Sequence, residues 1–116
     1  MIYPDLEIYV KGQRPEDLLS SFNERVGIVS QQEVKRGGNE TFEMLVGDPP
    51  CPCLLICRVN GTYSSIWFNG RDLPWSRDVG CATDCANTFD TEVRCQDPEG
   101  DAWLSVQGMR QSVVEW

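Results

Sequence analysis

The cysteines are the residues of this chain best suited to binding a metal ion. There are six, at Cys51, Cys53, Cys57, Cys81, Cys85 and Cys95. Two closely spaced pairs, Cys51-x-Cys53 and Cys81-x-x-x-Cys85, could together offer four thiolates to zinc. Structural zinc sites mostly use Cys pairs with about two to four residues between them, and the proline inside the first pair makes it a poor chelate. We therefore expect no metal site, and we expect the thiols to fill the core, because free cysteine is among the most buried residue types.

The side chains that catalysis usually needs are scarce. The chain contains no histidine, which removes Ser-His-Asp and Cys-His nucleophiles and all metal sites that use histidine. A reactive thiol needs a neighbouring base, a cation or a helix N-terminus, and near Cys81 the sequence offers only Arg77. Nucleotide-binding loops and EF-hand calcium loops are missing as well. We therefore expect no catalytic residue, no cofactor and no enzymatic activity.

The most informative feature of the sequence is its negative charge. Eighteen Asp and Glu against ten Lys and Arg give a net charge of −8, and residues 72–101 alone contain eight acids and two bases, a net −6. Nucleic acids and anionic membranes attract basic surfaces, so we expect neither as a partner. A basic protein is the partner that this charge favours, because complementary charge steers the encounter. A solvated surface that keeps a small protein soluble is the alternative interpretation.

The candidate partner-binding residues cluster in and around the second predicted helix. They are Asp72, Trp75, Asp78, Asp84 and Asp90. The acids would supply charge, and Trp75 at the helix entry would serve as an aromatic anchor. In size and charge the chain is similar to small acidic proteins that bind and neutralise basic partners, such as bacterial immunity proteins and phage anti-defence proteins. That resemblance covers no motif, and it implies a protein-binding or inhibitor module from a bacterium or a phage.

The alternative function is small-molecule binding in a crevice between two halves of the chain. Residues 8–12 and 66–70 match in type at an offset of 58, and each segment leads through a proline into a predicted helix. A duplicated βαβββ unit would explain the match. Coincidence between two ordinary strand–loop–helix transitions explains it as well, and we favour that interpretation. In the duplicated arrangement Tyr9 and Trp67 would line the crevice.

The spacing of apolar residues predicts ten helices and strands. Alternation over Leu6, Ile8 and Val10 is typical of a half-buried strand, and helical spacing follows Pro15, which suits a first helical position. The prolines of residues 47–53 predict irregular structure there, because proline donates no hydrogen bond. Predicted strands cover residues 6–10, 28–35, 41–46, 54–59, 62–68, 92–95, 102–106 and 112–116, and predicted helices cover residues 15–26 and 76–89.

These elements predict a single α+β domain over residues 1–116, in the order β-α-β-β-β-β-α-β-β-β. We expect a two-layer sandwich in which two helices pack on one face of a mostly antiparallel sheet. An uncovered edge strand could pair with a second copy to give a homodimer. The chain begins with Met1 and carries neither a secretory signal nor an apolar run of about 18 residues. We therefore expect a cytoplasmic protein with free thiols.

Overall fold

The computed structural model describes residues 5–70 and 73–116, except for the side chain of Arg36. Its elements are β1 (Asp5–Lys11), α1 (Pro15–Arg25), β2 (Ile28–Arg36), β3 (Asn39–Val46), β4 (Cys51–Asn60), β5 (Tyr63–Asn69), α2 (Asp78–Phe89), β6 (Val93–Gln96), β7 (Trp103–Gln107) and β8 (Arg110–Val114). The predicted α+β class, with an antiparallel sheet and two helices, is confirmed. Within the described ranges, no helix is long and apolar enough to cross a membrane.

The eight strands of the described residues form one sheet, in the order β2-β3-β4-β5-β1-β6-β7-β8. The first strand lies inside this sheet, where it pairs antiparallel with β5 on one edge and with β6 on the other. Ile8 lies opposite Ile66 of β5, and Val10 lies opposite Val93 of β6. The two ends of the sheet are β2 and β8, so these are the edge strands.

Both predicted helices are present, with bounds that differ from the prediction by at most two residues. Pro15 opens α1 with Glu16 in its first turn, and Gly27 follows it with a φ of 76°, a left-handed conformation that glycine adopts without strain. Asp78 opens α2, two residues later than the predicted start, and Asp90 closes it with a φ of 49°.

The spacing of apolar residues in α2 predicts an inward stripe of Val79, Ala82, Ala86 and Phe89, and the observed buried side differs from it in part. Ala82 and Ala86 are buried as predicted, but Val79 and Phe89 are only partly buried. The remaining buried positions belong to the two cysteines of this helix. The prediction erred because it favoured large side chains, whereas a helix packed close to a sheet buries its small ones.

The two faces of the sheet differ in burial, as the alternation of side chains in a strand requires. Leu6, Ile8 and Val10 of β1 are buried, whereas Glu7 is exposed and Tyr9 is partly buried. The same alternation runs through β6 and through β5, except that Ser65 of β5 is buried as well. The largest fully buried side chains of the core are Phe22, Phe68, Ile8, Leu18, Leu55 and Ile66.

Contacts of α1 and α2 identify the buried face of the sheet. The ring of Phe22 on α1 meets the ring of Phe68 on β5, with a centroid distance of 5.7 Å. Helix α2 contacts β1, β6 and β7, and Arg25 of α1 forms a salt bridge with Asp84 of α2. The helices therefore contact both the sheet and each other.

The start of β4 corrects one prediction. Residues 47–53 were predicted to be irregular, yet β4 begins at Cys51 and includes Pro52. The register explains why proline is tolerated there: Pro52 lies opposite Leu45 of β3, but the pairing with β5 begins only at Cys53. At Pro52 the strand therefore has a neighbour on one edge alone, which is where a sheet accepts a residue without an N–H group.

Gly70, which follows β5, packs directly against the beginning of β4. A Cβ atom at Gly70 would lie 2.6 Å from both Cβ and Sγ of Cys51. We expect Gly70→Ala to lower the free energy of unfolding by about 1–3 kcal/mol, the usual cost of overpacking. Urea unfolding measures this.

Gly80→Ala on α2 is the matched control, because nothing lies within 4 Å of a Cβ at Gly80. We expect this second change to raise stability by about 0.5–1 kcal/mol, since alanine favours a helix over glycine. Equal stability of the Gly70→Ala protein and the wild type would show that the contact with Cys51 is not tight.

Candidate functional site

Trp75 and Asp84, two of the predicted partner-binding residues, bind each other. The indole Nε1–H of Trp75 donates a hydrogen bond of 2.9 Å to Oδ2 of Asp84. Oδ1 of the same carboxylate lies 2.6 Å from Nη1 of Arg25. The Trp75 ring also packs on Phe68, with centroids 5.5 Å apart. Asp84 thus joins α2 to α1 and to the preceding loop, and this pair has a structural role.

The other predicted acids lie far from one another. Asp78 stands at the first residue of α2 and Asp90 just beyond its last. Twelve residues of helix separate them by about 18 Å. Asp90 is exposed, whereas Asp78 accepts a hydrogen bond of 3.3 Å from the backbone N–H of Glu7. Asp72 lies outside the described residues. The described acids of the prediction therefore do not share one face of α2.

An acidic cleft lies at the beginning of α2. We define it by Asp5, Asp78 and Asp97, which line an open cavity of about 480 Å³ together with Arg77 and Gly100. Burial raises the pKa of Asp78, and the charges of Glu7 and Asp5 raise it further against the opposing hydrogen bond from the Glu7 N–H. The negative charges in and beside the cleft are therefore close enough to repel one another.

A group of aromatic residues lies on the face of the sheet opposite the buried side chains. We call it the aromatic face, and it consists of Tyr9, Tyr63, Trp67, Trp103 and Trp116. All five are at least partly exposed. The register places Trp67 opposite Glu7, and places Tyr9 opposite both Ser65 and Arg94. The pair predicted for ligand binding, Tyr9 and Trp67, thus shares a face.

Three of these rings form a packed triangle. Tyr9 meets Trp103 at a centroid distance of 5.4 Å and Trp116 at 4.9 Å, and the two tryptophans are 5.0 Å apart. The interplanar angles are 85°, 88° and 80°. Such edge-to-face contacts are the favoured arrangement of aromatic pairs, so each ring fixes the orientation of the other two.

The carboxylate of Glu92 accepts hydrogen bonds from three donors next to the aromatic face. Oε1 of Glu92 accepts a hydrogen bond of 2.6 Å from the hydroxyl of Tyr63, and Oε2 accepts bonds from Arg94 Nε at 2.9 Å and from Ser105 Oγ at 2.5 Å. Burial by itself would raise the pKa of Glu92. The three hydrogen bonds and the charge of Arg94 outweigh it and lower that pKa to about 2.

The same network affects Tyr63 and Arg94. Burial and the hydrogen bond to Glu92 raise the pKa of Tyr63 to about 12. The guanidinium carbon of Arg94 lies 5.1 Å from the ring centroids of both Tyr63 and Trp116, within the range of cation–π attraction. The aromatic face therefore already holds one guanidinium, fixed in place by Glu92.

A bulge in β4 brings the hairpin end of β4 and β5 against the aromatic triangle. The register between these strands shifts between Ile56 and Asn60, and Arg58 has a φ of 53°. This left-handed conformation is unusual for a residue with a side chain. The amide of Asn39 donates to the carbonyls of Cys57 and Arg58, at 2.9 and 3.2 Å, while the Arg58 N–H donates to Ser64 Oγ. These bonds hold the bulge.

Beside the triangle is a small open cavity, which we call the aromatic pocket. It has a volume of about 290 Å³ and is lined by Tyr9, Val59, Asn60, Trp103 and Trp116. Trp103 and Trp116 are not among the predicted site residues. In β7, Trp103 alternates with the buried residues Leu104 and Val106, which could have indicated that its side chain points outward. The position of Trp116 carries no local signal.

The described residues that line the acidic cleft and the aromatic pocket include no cysteine. All six are free thiols, and only Cys51 is more than slightly exposed. Burial raises the pKa of Cys57 to about 11 and also raises that of Cys53. In the described ranges, no group of three or more Cys, Asp or Glu side chains is placed to hold a metal ion.

No protein-family model, no curated protein and no solved structure matches this chain.

The depressed pKa of Glu92 predicts a loss of stability in acid. Since the folded state binds the Glu92 proton less tightly than the unfolded chain does, its contribution is present above about pH 4.5 and disappears as the pH falls towards 2. We expect Glu92→Gln to cost roughly 1–3 kcal/mol at pH 6 and much less at pH 2.5. Urea unfolding at a series of pH values measures both.

Glu24→Gln, which removes an exposed carboxylate from α1, is the control for a change of charge alone. A Glu92→Gln protein whose stability loss stays constant between pH 6 and pH 2.5 would contradict the ionised network.

Proposed function

We propose that this protein is a non-enzymatic binding module that docks a basic protein on its aromatic face. The observation that carries the proposal is the concentration of tryptophan and tyrosine side chains, with Arg94 among them, on a partly exposed side of the sheet. Trp, Tyr and Arg are the residues most enriched among those that dominate binding energy in protein interfaces. A surface that contacts only solvent does not require such a concentration of aromatic residues.

The rigidity of the aromatic face supports the same proposal. The mutual contacts of Tyr9, Trp103 and Trp116 fix three rings before any partner arrives. Glu92 fixes Tyr63 and Arg94 through hydrogen bonds. A surface that is already ordered loses little conformational entropy on binding, which favours affinity.

The charge of the chain supports one kind of partner. The chain carries a net charge of −8, and by strand alternation Asp5 and Glu7 lie on the same side of β1 as Tyr9. Their hydrogen-bond donors, Asn69 and the Tyr9 hydroxyl, are neutral, so these contacts leave both charges uncompensated. The acidic cleft continues from Asp5. A basic surface fits this combination, and the long-range attraction would speed association.

The partner-binding residues predicted in and around α2 have different roles under this proposal. Asp78 belongs to the acidic cleft and contributes to the negative rim of the docking surface. Trp75 and Asp84 stabilise the fold through each other. Asp90 lies at the opposite end of the helix from the acidic cleft. Asp72 stays a predicted partner contact. Inhibition of the basic partner by occlusion is the proposed mode of action, in the cytoplasm.

The proposal includes the two-layer arrangement, because both helices must leave the aromatic face accessible. The alternation of burial in β1 and the packing of Phe22 on Phe68 support it. Duplication of a βαβββ unit remains a prediction. The first strands of the two halves, β1 and β5, are neighbours in the sheet, but β4 pairs with β5 whereas β8, its counterpart, is an edge strand.

Two further predictions stay secondary. Small-molecule binding is favoured only by the aromatic pocket, which includes Tyr9 but not Trp67, and whose volume lies at the lower limit of about 300 Å³ for ligand sites. Pairing of two copies through an edge strand would use β8, in which four of five residues are exposed, or β2 at the opposite end of the sheet.

A selection from a displayed library of random 20-residue peptides tests the proposed function. We expect the wild type to enrich peptides rich in Lys and Arg. Their affinity for an Asp5→Lys, Glu7→Lys double variant should be weaker by about tenfold or more, because two attractive charges next to the aromatic face become repulsive.

The matched control is Glu24→Lys with Glu40→Lys, which changes the charge equally at two exposed acids of α1 and β3. Its affinity should fall much less. Enrichment of neutral or acidic peptides, or equal losses in the two double variants, would overturn the docking surface.

A further inference from the structure

The aromatic pocket has the size of a side chain. Its volume of about 290 Å³ lies below the usual range for sites that hold a small organic ligand. Three of its five lining residues present aromatic rings, and Val59 and Asn60 close it from the bulged hairpin. Such a pocket suits one extended side chain with an apolar stem and a polar end.

A contact within the aromatic face indicates which polar end the pocket would bind. Arg94 places its guanidinium 5.1 Å from the centroid of Trp116, so one indole of the triangle already interacts with a cation. The pocket lies beside the same indole, and none of the described residues that line it is cationic. It therefore offers aromatic surface to a second cation.

Two neighbouring polar groups favour a cation as well. The hydroxyl of Tyr9 donates a hydrogen bond of 3.1 Å to the carboxylate of Glu7, which increases the negative charge density of the Tyr9 ring. Asn60 has a side-chain carbonyl that can accept an N–H bond. A guanidinium combines a flat surface for stacking on aromatic rings with several N–H donors, whereas a lysine ammonium is a compact, strongly hydrated point charge.

We infer that the aromatic pocket receives an arginine side chain of the basic partner. Its stem would lie against Val59, and its guanidinium would contact Tyr9 and Trp103 and donate to Asn60. This inference rests on the proposed function and names the residue type that the docking surface recognises.

Nuclear magnetic resonance tests the inference with three peptides at about 0.15 M salt, where surface charges are well screened. Hexa-arginine is the probe, hexa-lysine has the same charge without the planar group, and hexa-citrulline has the same shape without the charge. We expect hexa-arginine to bind about tenfold more tightly than hexa-lysine, and hexa-citrulline not to bind. The indole signals of Trp103 and Trp116 should shift, while that of Trp75, bonded to Asp84, should not.

Two variants locate the binding. Trp103→Ala removes one wall of the pocket and should weaken hexa-arginine binding by about tenfold. Val59→Arg keeps every ring but tethers a guanidinium at the rim, so it should compete with the peptide and weaken binding similarly. This second variant decides the matter if Trp103→Ala does not fold.

Equal affinity for hexa-lysine, absence of binding, or unchanged affinity in Val59→Arg would overturn the inference. Shifts confined to the backbone amides of residues 96–100 would also overturn it, because they would place the arginines in the acidic cleft. That last result would leave the proposed basic partner standing, whereas selection of neutral peptides in the library experiment would remove the proposed function itself.

Discussion

The pairing of β1 along both of its edges is the constraint on which the architecture depends. This strand comes first in the chain, yet it lies between β5 and β6. Strands β5 and β6 do not pair with each other. The group β2–β5 and the group β6–β8 are therefore joined into one sheet by β1. The central side chains Ile8 and Val10 are fully buried, and α2, which follows β5, packs on β1, β6 and β7. Helix α2 thereby covers the joint between the two parts of the sheet.

The same joint assembles the candidate site. Tyr9 projects from β1 between side chains of β5 and β6, and it touches Trp103 from β7. Arg94 and Tyr63, which come from the two strands that flank β1, meet above Glu92. The buried side of the joint stabilises the fold, and its other side brings distant aromatic residues together. One set of strand pairings therefore determines both the core and the proposed docking surface.

Local patterns in the sequence predicted most of the elements, and non-local contacts explain what they missed. The alternation around Ile8 and the proline that opens α1 act within a few residues, so both were interpretable. Pro52 was misjudged because its tolerance depends on where β5 ends. The salt bridge of Asp84 with Arg25 depends on how α1 docks. The meeting of Trp103 and Trp116 with Tyr9 depends on strand order, and no local signal specifies that order.

The bulge in β4 has a consequence for how the aromatic pocket can change. Asn39, the first residue of β3, binds the carbonyls of two consecutive bulge residues, Cys57 and Arg58, and the bulge positions Val59 and Asn60 against the rings. Asn39 itself follows the turn that joins β2 to β3. The Asn39 amide therefore links one hairpin to the next, so that a sequence change in the β2–β3 turn would shift Val59 and Asn60 without altering any residue that lines the pocket.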